Sequence, residues 1–71
     1  MDHTPTWRDR LQERITAHGR SMRSVSLKAG LSANFLHEIL TKGRDPSLRN
    51  LMAVASELGT SVAFLIEGAR K

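Results

Sequence analysis

The chain contains no cysteine. A disulfide framework and a thiolate metal site are therefore both excluded as braces. The fold must stand on packing alone, with or without a partner chain. No apolar run approaches the roughly 18 residues of a membrane span. The N-terminus lacks the basic stretch followed by an apolar run that marks a secretory signal. Together these absences point to a soluble cytoplasmic protein. Internal repeats, low-complexity tracts and period-two alternation are missing too, and the apolar spacing is helical throughout. The 71 residues make one small domain. A chain of this size buries only roughly 60% of its unfolded surface, so its core is thin.

The chemistry of catalysis is also missing. His3, His18 and His37 sit far apart, and none is spaced with a carboxylate as a metal site requires. There is no glycine-rich phosphate loop, no nucleophile elbow and no serine–lysine pair. A domain this small rarely offers a concave pocket, and nearly all its serines are explained as helix caps. The expectation is a protein that is not an enzyme and uses neither metal nor cofactor.

What the sequence does have is positive charge in one place. The net charge is +4. In residues 1–19, Arg8, Arg10 and Arg14 cancel Asp2, Asp9 and Glu13. In residues 20–49, Arg20, Arg23, Lys28, Lys42, Arg44 and Arg49 outweigh Glu38 and Asp45 and leave +4. Residues 50–67 hold only Glu57 and Glu67, and Arg70 and Lys71 close the chain. A basic middle segment is suited to a polyanion, though it also fits a merely solvated face.

The punctuation predicts five helices. Residues 1–5 read as a flexible lead, 6–67 as the folded domain and 68–71 as a flexible tail. The first helix is capped by Thr4, with Pro5 at its first position, or by Thr6, with Asp9 completing a capping box. Trp7, Leu11 and Ile15 form its apolar stripe, and Gly19 ends it. Ser21 starts a second helix with Val25 and Ala29 inward, ended by Gly30. Ser32 caps a third, over about residues 33–41, with Leu36, Ile39 and Leu40 buried. Leu31 packs across its start. Gly43 and Pro46 separate it from a fourth helix capped by Ser47, with Leu48, Leu51, Met52, Ala55 and Leu58 inside. After Gly59, Ser61 caps a last short helix with Val62, Leu65 and Ile66.

Only Gly30, Leu31 and Ser32 stand between Ala29 and Ala33. So tight a turn makes two short helices cross steeply, as in a helix-turn-helix. The stretches "SMRSVSLKAGLS", "ANFLHEILTKGRDPSL" and "LMAVASELGTSVAFLIEG" together resemble the lambda-repressor-like helix-turn-helix family, the phage repressor and Cro type of bacterial regulator. The resemblance spans about residues 6 to 67. The ending "P-S-L…L…A…LG-S…LI" at its spacing from the turn is the most specific part. Two residues depart from the pattern. Ser26 stands where the family usually has alanine, and its hydroxyl can bond back to a carbonyl one turn earlier. Leu40 stands where the family often has glutamate, so the ion pair that glutamate makes is expected to be absent.

The resemblance implies an all-α, compact five-helix domain with its helix-turn-helix in helices two and three. It implies a sequence-specific binder of double-stranded DNA, a transcriptional repressor of phage or prophage type, reading the major groove with helix three. Ala33, Asn34 and His37 match the base-reading positions. Asparagine can pair with adenine through N6 and N7, and alanine can touch a thymine methyl. Ser21, Met22, Arg23, Ser32, Lys42, Arg44 and Arg49 match phosphate-gripping positions. Met22 replaces a frequent glutamine. Arg20 can add a phosphate contact at range.

A short helix reads only a few base pairs, so a nucleoid-associated homodimer on a palindromic operator is expected, formed in solution or only on DNA. Phe64 has no obvious place in so thin a core; with Ile66 it makes an apolar patch assigned to the dimer interface. The alternative for Phe64 is to fold under helix one near Trp7. Phe35 and Trp7 read as packing residues. The alternative function is a protein-interaction module, such as an antitoxin that binds a toxin as well as operator DNA.

Overall fold

Polar caps and glycine stops divide the chain into five helices in the computed structural model, which describes residues 6–68. They are α1 (Trp7–Ala17), α2 (Met22–Lys28), α3 (Phe35–Lys42), α4 (Leu48–Glu57) and α5 (Val62–Glu67). Residues 1–5, expected as a lead, and residues 69–71 of the expected tail lie outside the described residues. Of the two candidate caps for α1, Thr6 holds the position. Its side chain accepts from the Asp9 N–H, and the Asp9 carboxylate accepts from the Thr6 N–H at 2.9 Å. Ser21, Ser47 and Ser61 cap α2, α4 and α5 in the same way, each accepting from the N–H three residues on.

α3 differs. Its first helical residue is Phe35, and Asn34 holds the cap position without a side-chain cap bond. Ser32 therefore does not cap the helix with its hydroxyl; only its backbone carbonyl takes part, accepting from the Phe35 N–H at 3.1 Å. Ala33 and Asn34 belong to the turn, and α3 begins two residues later than the spacing predicts. The first-turn N–H of Leu36 is bound from outside the helix, by the buried hydroxyl of Ser26 on α2 at 3.1 Å. A donor bonded across a helix pair leaves no local pattern, so a cap search along the sequence cannot find it.

Gly30 closes α2. Its N–H reaches the Leu27 carbonyl, the Leu31 N–H reaches the Ser26 carbonyl at 2.9 Å, and its φ is +83°. This pair of bonds needs a left-handed residue between them, where a side chain would cost roughly 1–2 kcal/mol. The chain then turns straight back, and α3 packs against α2 more extensively than against any other helix.

Leu11 and Ile15 of α1, Val25 of α2, Leu36 and Ile39 of α3, Leu51, Val54 and Ala55 of α4, Leu58 at its end and Leu65 of α5 are buried. Trp7, Ala29, Leu31, Phe35, Leu40 and Val62 cover this core partially. The inward face of α4 holds Leu51, Ala55 and Leu58 as expected but departs from the expected set at three residues. Leu48 is 65% exposed and Met52 55% exposed, while Val54, absent from the expected set, is fully buried. Leu51, Val54, Ala55 and Leu58 are spaced at three and four residues, so the true stripe excludes Leu48 and Met52. Phe64, expected to find no obvious place in so thin a core, packs on its margin. It is half-buried against the core, with the Arg14 guanidinium 5.3 Å from its ring centre. Ile66 stays 56% exposed.

Two arginines of α1 tie down the ends of other helices. Arg8 donates to the Ile39 carbonyl at 3.0 Å and the Arg44 carbonyl at 2.7 Å, and pairs with Asp45 at 3.1 Å. Arg10 donates to the Leu65 and Ile66 carbonyls of α5 at 2.6 and 2.7 Å. Cations are favoured at helix C-termini, where carbonyls lack helical partners.

Candidate nucleic-acid interface

The outer side of the α2–α3 pair is built by what the inner side buries. With Leu36 and Ile39 turned into the core, His37 stands exposed on α3, and Asn34 stands exposed at its start. The start of α2 lies alongside. Ser21, Met22 and Arg23 from that end, and Ala33, Asn34 and His37 from the other, line one open groove. Residues ten to sixteen positions apart in sequence are thus brought to a single concavity by the reversal at Gly30.

The donors and acceptors of the groove are only partly satisfied within the chain. The Ser21 hydroxyl oxygen accepts from the Ser24 N–H at 3.0 Å, which leaves its own proton to donate outward. The amide of Asn34 makes no cap bond. The inner wall is tied by Ser26, whose hydroxyl donates to the Met22 carbonyl at 2.7 Å. That bond goes back one helical turn, as the residue type at this position predicts.

Lys42, Arg44 and Arg49 do not line this groove. Lys42 is exposed on the last turn of α3, Arg44 is exposed in the following loop, and Arg49 is exposed in the first turn of α4. Arg44 lies 3.7 Å from Glu38, a loose solvent-exposed pairing that costs little to exchange for another anion. Ser32 is exposed in the turn before α3. Arg20 is placed otherwise. It forms a half-buried ion pair with Glu57 at 2.9 Å and so joins α4 to the turn before α2. Arg8 is the functional candidate that sequence reasoning missed. By bonding the Arg44 carbonyl and Asp45 it holds the loop that presents Lys42 and Arg44. The only hint in the sequence is Asp45, a carboxylate inside a basic loop that needs a cation from elsewhere.

A family model described as helix-turn-helix matches residues 11–65. The chain belongs to the lambda-repressor-like helix-turn-helix family. The match runs from Leu11 to Leu65 and so contains every residue of the groove and of the basic loop. This is a family of DNA-binding regulators, and membership supports DNA binding here. No curated protein matches the chain significantly. Leu40, where the family often has glutamate, is half-buried against the core. Among the described residues, no helix is long and apolar enough to cross a membrane.

Proposed function

We propose that this helix-turn-helix protein is a sequence-specific transcriptional repressor, a cytoplasmic regulator that docks α3 in the major groove of an operator. The working unit is the stretch from Thr6 to Glu67. Ala33, Asn34 and His37 read base edges. Ser21, Met22, Arg23, Ser32, Lys42, Arg44 and Arg49 hold the phosphates on either side. The observation that carries this reading is the groove shared by Ser21, Met22, Arg23, Ala33, Asn34 and His37. It sets uncommitted hydrogen-bonding groups of the second helix beside those of the third, at the tight turn that a helix-turn-helix uses against DNA. The exposed cations Lys42, Arg44 and Arg49 supply sequence-independent attraction.

Two copies on a palindrome complete the reading, with Ile66 and the rim of Phe64 at the two-fold contact. Ile66 is exposed at the end of α5, and residues 50–67 carry no cation to place against phosphate. Selection of bound sequences from random duplex DNA tests the proposal. Enrichment of one inverted repeat is expected; recovery of a random pool overturns sequence-specific binding.

A second reading, an antitoxin-like module with a protein partner, has one observation in its favour. Leu48 and Met52 stand one turn apart on α4, both more than half exposed. Co-purification of the protein from native cells separates the two readings: a stoichiometric second protein favours the module, and recovery alone or with DNA favours the repressor.

A further inference from the structure

We propose that Met22 and Ala33 form a seat for the 5-methyl group of a pyrimidine, so that the protein selects thymine, or 5-methylcytosine, at one position of each half-site. The inference rests on the reading of this groove as the base-facing side of the domain and names a chemical group that the groove selects.

Of the residues that line the groove, Ser21, Arg23, Asn34 and His37 carry hydrogen-bonding or charged side chains, whereas Met22 and Ala33 do not. The two apolar residues come from different elements, Met22 from the first position of α2 and Ala33 from the turn before α3. Both are half-buried, so each is covered in part by the domain and open in part to the groove. Met22 packs against the hydrophobic core, and its carbonyl is held by the Ser26 hydroxyl at 2.7 Å.

A thioether has no hydrogen-bond donor to offer a phosphate. Any hold of Met22 on the DNA backbone therefore comes from its main chain, and the side chain is left for an apolar partner. The major-groove edges of the base pairs carry donors, acceptors and one apolar group, the thymine C5-methyl. A base amino group, a base carbonyl or a phosphate oxygen set against Met22 and Ala33 would lose water and gain no hydrogen bond. A methyl gives up no hydrogen bond there, and its burial removes apolar surface from water on both partners. Methionine, unbranched and polarisable, adapts to so small a knob. Asn34 and His37, on the same groove, remain for the polar atoms of the base edges.

The experiment removes methyl groups from the selected operator one at a time, by replacing each thymine with deoxyuridine, which keeps every hydrogen-bonding group. With the unaltered protein, loss of the methyl at one thymine of a half-site is expected to weaken binding by about 4-fold, the equivalent of about 0.8 kcal/mol for one buried methyl. Met22→Gln keeps the length of the side chain and sets an amide in the seat, and the loss at that thymine should then fall below about 1.5-fold. Met22→Leu keeps an apolar end and should retain a loss of at least about 2-fold. Any effect of the methyl on DNA shape is common to all three proteins, so the difference between them isolates the contact. An operator with no methyl-sensitive thymine overturns the proposal, and so does undiminished sensitivity in Met22→Gln.

NMR of the complex gives a readout that needs no variant. With labelled methionine methyls, a nuclear Overhauser contact between the Met22 ε-methyl and a thymine methyl is expected, and its absence overturns the proposal. Failure to select any operator overturns the base-facing reading beneath it. A selected operator indifferent to methyl loss overturns this inference alone.

Discussion

Single side chains on α3 divide sharply between holding the fold and facing outward. Leu36 is fully buried between helices, whereas Asn34, two residues earlier, is exposed. Leu36→Ala empties a core site and is expected to cost roughly 2–5 kcal/mol, measured by urea unfolding. In a domain whose total stability is expected to be about 5–15 kcal/mol or less, that is a large share. Asn34→Ala should leave the unfolding curve nearly unchanged. On DNA it should weaken the selected site by about 1–3 kcal/mol, relax preference at one base pair and leave random-sequence binding intact. Equal weakening on both DNAs would assign Asn34 to the backbone.

At the scale of elements, the loop between α3 and α4 carries the proposed electrostatic role. It is fastened from below, where Arg8 bonds the carbonyls of Ile39 and Arg44 and pairs with Asp45. Lys42 and Arg44 are left to solvent on the other side. Lys42→Ala and Arg44→Ala should each flatten the dependence of log affinity on log salt, by about 0.9 for every phosphate the variant leaves unneutralised. Both should weaken specific and random DNA alike. Titrations across a series of salt concentrations check this, and unchanged slopes in both variants would remove the loop from the interface. Arg8→Ala acts differently, because it frees the Ile39 and Arg44 carbonyls and unfastens the loop while removing neither Lys42 nor Arg44. A loss of about 1.5–3 kcal/mol of stability is expected, read by thermal unfolding.

For the molecule as a whole, the separation of charge sets the orientation. The exposed cations of the middle segment, Arg23, Lys42, Arg44 and Arg49, are assigned to the proposed partner while Arg20 pairs with Glu57, and the cation-free stretch from Asn50 to Glu67 is left for protein contact. Ile66 and Phe64 lie in that stretch with different burial, so their variants should behave differently. Ile66→Ser removes an exposed side chain and is expected to keep the monomer folded while abolishing cooperative occupancy of a two-site operator. Phe64→Ser strips a residue packed on the core and lying under Arg14, and should lower the melting temperature as well. Footprinting on operators with one and two half-sites, together with melting curves, reads both effects. The half-site centres are expected about 34 Å apart, one turn of DNA. Intact two-site cooperativity in Ile66→Ser would move the interface elsewhere.

The helix count, the cap–stop punctuation and the turn at Gly30 follow from the sequence itself, because caps and left-handed glycines act over three or four residues. The core positions Leu11, Ile15, Val25, Leu36, Leu51 and Leu65 follow from spacing for the same reason. The family likeness was readable for a related cause: turn and ending are local patterns at a set distance. The tertiary structure decided what local pattern cannot. Leu48 and Met52 fit an apolar stripe as well as Val54 does, and only the direction from which α2 and α5 approach α4 selects Val54. α3 starts at Phe35 because Ser26 reaches its Leu36 N–H across the helix pair, a bond between residues ten apart. Arg8 and Arg10 read as plain charges, and Arg20 as a distant phosphate contact, until the fold brings each to its partner, 31 to 56 residues away. Whether an arginine binds DNA or ties a helix end depends on where its neighbours in space, not in sequence, come to lie.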